Sequence, residues 1–352
     1  MQSAASIPAQ VLRVREPNIS RSGKLRAGVV GLGKQALEDH IPGLAASDGA
    51  ELVAVCDESS SVVREQRERL NVPGYTSVET MLAAENLDFI VVTVPHDAGQ
   101  SVISAAAEHH VHVLKEKPFA TSLTEARELA ALCEGAGIEV MVTLQRRFNP
   151  IYTSFLQLAD QIGVPFVVDA HYTLHVVDPS DGWRGQSERA GGGCIIDMGY
   201  HLVDMILWYF GLPDRVLASL SARARPDRVY NAEDTALIHF SYDGGMYGSL
   251  LLSRFIGPKS EQIRLVGSKG IVELERGHLR RLTNGGEVIE SLSRDQSWPS
   301  AATSQIDHFC RVIEGLRPNL SGPQQNLSHL RFIAACYSSA ASGMPVNPEE
   351  LS

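Results

Sequence analysis

The chain of 352 residues has few cysteines, and no two of them are close together in the sequence. The five are odd in number, widely separated and without a C-x-x-C pair; they are Cys56, Cys133, Cys194, Cys310 and Cys336. This pattern excludes a disulfide framework and a cysteine-based zinc site. It is typical of reduced thiols, and we expect a cytoplasmic protein.

Long apolar runs are also missing from the sequence. Nowhere do the roughly 18 consecutive apolar residues that a membrane span needs occur. Residues 1–24 contain no continuous apolar segment of the kind found in a secretory signal peptide. We therefore expect neither secretion nor membrane insertion, and we interpret residues 1–24 as a flexible N-terminal arm.

Positive charge is scarce, because 31 lysines and arginines face 41 aspartates and glutamates, for a net charge of −10. Such a deficit repels phosphate backbones and anionic membrane surfaces, so it argues against nucleic-acid and membrane partners. The charge balance places no limit on small-molecule partners. The composition, with 44% hydrophobic and 20% charged residues, is that of an ordinary globular protein, and the length favours two domains.

Two different rhythms of hydrophobic residues divide the chain. Between residues 25 and 144, short apolar runs alternate with longer amphipathic stretches, which predicts a doubly wound parallel sheet. From about residue 164 the strands are longer and alternate in polarity, with hairpin signals at 243–245, 267–270 and 284–286. This second pattern predicts an α+β domain with a large, open, mostly antiparallel sheet, covered by helices near 151–161, 195–210, 303–314 and 325–341. We place the first domain at 25–146 and the second at 147–352.

A glycine-rich turn follows the first predicted strand and has the form G-x-G-x-x-A. The first glycine permits a tight turn, the second lets the backbone approach a pyrophosphate, and the small last residue lets a helix pack on the sheet. The next strand ends in Asp57, whose carboxylate can accept a hydrogen bond from a ribose hydroxyl, which favours NAD over NADP without excluding NADP. The turn is Gly31-Leu32-Gly33-Lys34-Gln35-Ala36.

Two lysines stand at the end of a later strand, in Lys115-Glu116-Lys117-Pro118. This edge of a parallel sheet is where ligands bind, but two lysines there also suit a solvated surface. Pro118 restricts the backbone and permits a cis bond that would aim the Lys117 ammonium inward.

Three charged residues interrupt an otherwise apolar helix predicted over 195–210. Asp197, His201 and Asp204 are spaced i, i+4 and i+7, so they fall on one line of such a helix. Buried carboxylates beside a histidine are costly unless they ionise, orient or bind something. An acid/base site, a hydrogen-bonded core stripe and a metal site all remain open on this pattern.

Taken in order, these motifs resemble the glucose-fructose oxidoreductase / inositol dehydrogenase / rhizopine-catabolism (Gfo/Idh/MocA) family. The resemblance covers nearly the whole chain after the N-terminal arm and depends on the order and spacing of the elements. It implies NAD(P)-dependent oxidation or reduction of a sugar or cyclitol hydroxyl, and a homodimer or homotetramer formed through the second sheet. The motifs are the G-x-G-x-x-A turn, Asp57, Glu116-Lys117-Pro118, Trp183-Arg184, the triple glycine 191–193 and Asp197-x-x-x-His201.

The resemblance also implies roles for individual residues. Lys117 corresponds to the lysine at the reacting hydroxyl, His201 to the catalytic acid/base and Asp197 to its substrate-side partner; no metal is expected. We further expect cofactor contacts from Gly31, Gly33, Lys34, Gln35, Ala36, Asp57, Thr93, Pro95, His96, Glu116 and Lys117. Substrate contacts are expected from Arg147, Tyr152, Trp183, Arg184, Asp197 and His201, although an interdomain ion pair or packing role suits Arg147, Tyr152, Trp183 and Arg184 equally well.

The chain departs from the common family pattern after Thr93-Val94-Pro95, where His96 and Gly99 replace an asparagine and a histidine. The family pattern therefore does not determine which residues contact the cofactor at that edge. Two other functions also remain possible: a non-catalytic regulator of the same fold that senses dinucleotide or sugar, and a redox-neutral NAD-dependent glycosidase.

Overall fold

The structure is a computed structural model of the chain and describes residues 23–293 and 298–351. The predicted N-terminal arm lies outside the described residues, apart from its last two positions. All five cysteines are described; each is free and buried, so the prediction of unpaired thiols is confirmed. Within residues 23–293 and 298–351, no helix combines the length and apolarity that crossing a bilayer requires.

The first sheet contains six parallel strands in the order β3-β2-β1-β4-β5-β6, which is the order of a Rossmann fold. The sequence pattern predicted this sheet but missed β3, which is two residues long and has no room for a periodic signal. Its strands are β1 Leu25–Val30, β2 Ala50–Cys56, β3 Gly74–Tyr75, β4 Phe89–Val92, β5 His112–Glu116 and β6 Val140–Thr143. The helices between them are α1 Ile41–Ala45, α2 Ser60–Leu70, α3 Val78–Ala84, α4 Gly99–Glu108 and α5 Leu123–Ala136.

The second sheet contains eight strands in the order β14-β13-β12-β11-β7-β10-β9-β8, and only the β7–β10 pair is parallel. The predicted fold class is therefore confirmed, and turns at the three predicted hairpin signals join β9 to β10, β11 to β12 and β13 to β14. These strands are β7 Pro165–His175, β8 Arg215–Ser221, β9 Thr235–Ser241, β10 Tyr247–Ser253, β11 Phe255–Gly267, β12 Gly270–Glu275, β13 His278–Leu282 and β14 Val288–Ser293.

Helices cover one face of the second sheet, but the helix predicted near 303–314 as part of this cover, α10, packs on the first domain instead, because its apolar side chains enter the cluster beneath the first sheet. The side chains Ile306, Phe309 and Cys310 of α10 join the apolar cluster beneath β1 and β4, where Phe309 meets Phe89 edge to face at 5.5 Å. The chain thus crosses between the two sheets again after the predicted boundary near residue 147. The helices are α6 Pro150–Thr153, α7 Phe155–Ala159, α8 Ser187–Ala190, α9 Tyr200–Phe210, α10 Trp298–Ile313 and α11 Pro323–Ser342.

Candidate active site

The glycine-rich turn follows β1 at the carboxyl edge of the first sheet. Gly31 has a φ of +86°, and a Cβ there would lie 2.8 Å from the carbonyl oxygen of Thr93, so a side chain is excluded. At Gly33 a Cβ would meet nothing within 4 Å. The space beside Gly33 is therefore open, as the approach of a pyrophosphate to the backbone requires. The next three residues predicted as cofactor contacts are Lys34 and Gln35, which are exposed, and Ala36, which is buried.

Asp57 follows β2 and is held against this turn by its own carboxylate. The Leu32 N–H donates to Oδ2 at 2.8 Å, and the Ser59 N–H donates to Oδ1 at 2.9 Å. Each oxygen keeps a second lone pair, which can accept a hydroxyl hydrogen. The carboxylate is thus fixed where a dinucleotide ribose would meet it in this fold, and the donors and open space present fit such a cofactor.

Glu116, the last residue of β5, points back toward the same turn. His40 is buried, with its Nε2 2.8 Å from Glu116 Oε1, and Gln145 donates to that oxygen at 3.3 Å. Burial raises the pKa of Glu116, but the hydrogen bond from His40 and the charge of Lys117 bring that pKa below its ordinary value. The sequence contained no signal for His40 as a partner, because the two residues are far apart along the chain.

His96 connects the cofactor edge of the first domain to the second domain. Its Nδ1 lies 2.7 Å from the carbonyl oxygen of Ala190, so Nδ1 carries the hydrogen, and its ring lies 4.4 Å from that of Trp183. Burial, helped by the charge of Lys117, lowers the pKa of His96 to about 3. His96 is therefore a neutral interdomain contact, and Thr93 and Pro95 form the segment between β4 and this residue.

Lys117 extends from the end of β5 into the second domain. Its Nζ donates to the backbone carbonyl of Asp197 at 2.8 Å and to Asp197 Oδ1 at 3.0 Å, and the Lys117-Pro118 bond is cis. The neighbouring Lys115 is buried and donates to the carbonyl oxygen of Pro118 at 2.6 Å. Neither lysine belongs to a solvated surface. The interpretation of this motif as a pair of solvated lysines is therefore wrong.

Asp197 is surrounded by three cations. Besides Lys117, Arg254 Nη2 lies 3.1 Å and Arg184 Nε 3.4 Å from Asp197 Oδ2. Burial alone raises the pKa of a carboxyl group, but these three charges hold the pKa of Asp197 well below its ordinary value. Asp197 is therefore ionised. No sequence motif pointed to Arg254, which follows directly after the apolar strand β10.

His201 lies in the first turn of α9, close enough to these groups for their charges to act on its imidazole. Burial and the positive charges of Arg146 and Lys117 lower the pKa of His201 well below 6.5, and the charge of Asp197 opposes them only partly. The imidazole is therefore neutral at pH 7 and has a lone pair available to accept a proton.

The predicted line of three charged residues on one helix is wrong. Helix α9 begins at Tyr200, so Asp197 lies in the preceding turn. The reason is tertiary, because the N–H groups of Cys194 and Ile195 donate to the carbonyl and carboxylate oxygens of Glu233 at 2.7 and 3.0 Å. These bonds hold the segment in turns that lead Asp197 toward Lys117.

Asp204 belongs to a separate buried group. Arg147 Nη2 lies 2.6 Å and His329 Nε2 2.9 Å from Asp204 Oδ1, so this residue is the hydrogen-bonded core group that the sequence pattern left open. Of the two roles predicted for Arg147, the structure shows the ion pair, which joins it to Asp204. Tyr152 is also buried and donates to Glu261 Oε1 at 3.1 Å, so the structure brings neither Arg147 nor Tyr152 into contact with Asp197.

Arg184, in contrast, lies beside Asp197, and Trp183 packs against Arg184. The Arg184 guanidinium stacks over the Trp183 ring at 4.3 Å, and Trp183 in turn packs on His96. Across residues 23–293 and 298–351, no three histidine, cysteine or acidic side chains come together in an arrangement that could hold a metal ion.

Comparison with known proteins shows the family of the chain. Residues 25–144 match the family model described as an oxidoreductase family with an NAD-binding Rossmann fold, and residues 157–273 match the GFO/IDH/MocA C-terminal domain. Fold and site therefore define a two-domain oxidoreductase with an NAD-binding Rossmann domain. The chain belongs to the Gfo/Idh/MocA family, as its motifs predicted.

Relatives in this family include several sugar dehydrogenases. The NADP-dependent D-xylose 1-dehydrogenase 2 of Haloferax volcanii is 26% identical, over 91% of this chain and 98% of its own. The D-apiose dehydrogenase of Paraburkholderia graminis is 28% identical, over 86% of this chain and 84% of its own. Among solved structures, aldose-aldose oxidoreductase from Caulobacter crescentus has a TM-score of 0.83 at 23% identity, covering 92% of this chain and 99% of the other.

The neutral, buried state of His96 predicts a loss of stability in acid. Below pH 6.5 the unfolded chain protonates this histidine and the folded chain does not, so the free energy of unfolding falls as the pH drops. His96→Asn, whose amide can still donate to Ala190, should reduce the loss between pH 7 and pH 5 by about 2 kcal/mol. Urea unfolding of the wild type and of His96→Asn at pH 7 and pH 5 measures this loss of unfolding free energy. An equal loss in the two proteins would contradict the assignment of His96 as a buried, neutral histidine.

Proposed function

We propose that this protein is an NAD-dependent dehydrogenase that oxidises a secondary hydroxyl group of a sugar or cyclitol to a ketone, and catalyses the reverse reduction. The observation that carries the proposal is the convergence of Lys117 on Asp197, with a half-buried, neutral His201 close enough to feel both charges, at the carboxyl end of β5. Sugar substrates are supported by the relatives named above, which are D-xylose and D-apiose dehydrogenases.

The cofactor would be held by residues along the carboxyl edge of the first sheet. Backbone at Gly31 and Gly33 receives the pyrophosphate, and Asp57 accepts from a ribose hydroxyl. Glu116 and Lys117 lie at the end of β5, on the side nearest Asp197. When bound, the oxidised nicotinamide takes up the hydride that leaves the substrate carbon.

Oxidation of the hydroxyl also requires removal of its proton. His201 accepts that proton as the C=O bond forms, and returns it in the reductive direction. The Lys117 ammonium stabilises the negative charge that develops on the same oxygen. Asp197 holds Lys117 through two contacts and so orients the ammonium.

Replacing His201 by alanine should lower kcat by about 10²–10⁴-fold, because the reaction loses its base, while the Kd for NAD stays within a few-fold. Steady-state kinetics with the best sugar, together with NAD binding by fluorescence or calorimetry, measures the two effects. His278→Ala is the matched control, since His278 is exposed at the start of β13.

Unchanged turnover in His201→Ala would refute its role as base. The same assay separates the other two functions. Product without net NADH, through oxidation, elimination and re-reduction, indicates a redox-neutral glycosidase. Tight NAD binding without chemistry on any sugar indicates a regulator.

We further propose a preference for NAD over NADP, because the Asp57 carboxylate would repel a 2′-phosphate. Asp57→Ser should raise the ratio of kcat/KM for NADP to that for NAD by at least about tenfold, or about 1.4 kcal/mol. Asp48→Ser, which removes an exposed carboxylate outside the turn, should leave the ratio unchanged. A wild-type preference for NADP would overturn this proposal.

The outer face of the second sheet is proposed as the contact surface of a homodimer or homotetramer. Tyr247 pairs with Val167 across β10 and β7. Further along β10, Leu251 pairs with Leu237 of β9, which is 57% exposed, so apolar side chains face outward. Leu237→Lys should lower the mass measured by light scattering to that of a monomer, whereas Leu316→Lys, at an exposed site outside the sheet, should not. A monomeric wild type would contradict the proposal.

A further inference from the structure

The cations around Asp197 exceed what its single negative charge requires. Lys117 Nζ at 3.0 Å and Arg254 Nη2 at 3.1 Å both lie within hydrogen-bond distance of its carboxylate. The side chains of these two cations are mostly buried. The pair already carries one more positive charge than Asp197 neutralises, and Arg184 adds a further charge at 3.4 Å.

The other carboxylates near these cations do not remove this surplus. The charge of the buried Lys115 acts on Glu116, which lies beside Lys117. The charge of Arg254 acts on Glu233. Lys117 and Arg184 then remain against the single charge of Asp197.

Glu261 is engaged by Arg146, whose Nε lies 2.7 Å from Oε1 and whose Nη2 lies 2.5 Å from Oε2, so that pair is neutral as a unit. His201 and His96 are neutral. Lys259, on the bulged stretch of β11, adds another positive charge over the Tyr172 ring at 5.7 Å. The cleft is therefore positive in a chain whose net charge is −10.

Arg184 is the cation of this group that is most available to a ligand. Its side chain is 57% exposed, whereas that of Arg254 is 5% exposed. The Arg184 guanidinium lies over the Trp183 ring, and its contact with Asp197 is made by Nε. The edge that carries the two Nη groups has the geometry for two parallel hydrogen bonds to a carboxylate or a phosphate.

We propose that the substrate is an anionic sugar, bearing a carboxylate or a phosphate group, and that Arg184 receives this group. The inference rests on the proposed function, because it places the sugar between Lys117 and His201. A neutral sugar would leave the surplus positive charge uncompensated in a partly desolvated cleft, and the oxidised nicotinamide adds one more positive charge there. An anionic group on the substrate compensates both the surplus charge of the cleft and the charge of the nicotinamide.

The test compares sugars that differ only at carbon 6. Glucose, glucuronate and glucose 6-phosphate form one set, and galactose, galacturonate and galactose 6-phosphate form a second. In each set that is turned over, one anionic member should exceed the neutral sugar in kcat/KM by at least about tenfold. Which anion is preferred distinguishes a carboxylate from a phosphate.

Arg184→Gln should lower the ratio of anionic to neutral kcat/KM by about 10–100-fold, because it removes a charged hydrogen-bonding group. Arg184→Lys should restore part of the ratio. Arg64→Gln, at an exposed arginine of α2, should leave the ratio unchanged. Using the ratio removes any general effect of Arg184 on Asp197 or on folding.

Equal or better use of the neutral sugar by the wild type, or a ratio that Arg184→Gln does not change, would overturn the inference while leaving the dehydrogenase proposal intact. If no sugar yields NADH, the proposed function fails instead. Calorimetry with the NAD-loaded protein then decides the inference, since anionic members must still bind more tightly than neutral ones, and an equal Kd overturns it.

Discussion

The ion pair between Lys117 and Asp197 is the interaction on which the site depends, because it joins the end of β5 to the turn that precedes α9. A buried carboxylate is stable only when it is paired, so this turn requires cations from its surroundings. Lys117 supplies one from the first domain and Arg254 another from the end of β10. Because α9 starts only three residues later, the same pair also determines where His201 stands relative to the cofactor edge.

Much of the fold followed from local signals that do not depend on distant contacts. The alternation of apolar runs and amphipathic segments identified the parallel sheet, and glycine-containing hairpins identified the antiparallel one. The turn at Gly31 was recognisable because its conformation demands glycine there, whatever the remainder of the chain does. Asp57 and Lys117 were found for a related reason, since strand ends in a parallel sheet meet at one edge.

The partners of the charged residues were not predictable in the same way. Arg254 reaches Asp197, and His40 reaches Glu116, across separations of 57 and 76 residues, and no local pattern encodes such pairs. The i, i+4 spacing of Asp197 and His201 indicated a shared helix, but Glu233 holds the backbone just before Asp197 in turns, and the helix starts only at Tyr200. Asp204 is an aspartate on the same predicted helix line as Asp197 and His201, so the sequence pattern could not separate it from them. In the structure, Arg147 and His329 hold it in the core.

The positive surplus of the cleft serves two requirements of the proposed reaction at once. The charges of Arg146 and Lys117, added to burial, keep His201 unprotonated, so its lone pair is available at neutral pH. A lowered pKa also makes the imidazole a weaker base, which by itself would slow proton removal. The same cations stabilise the oxygen as it becomes negative, so the hydroxyl becomes more acidic as the base becomes weaker. Because both changes arise from one field, they largely cancel in the difference between the two pKa values, so the weaker base is offset by the more acidic hydroxyl.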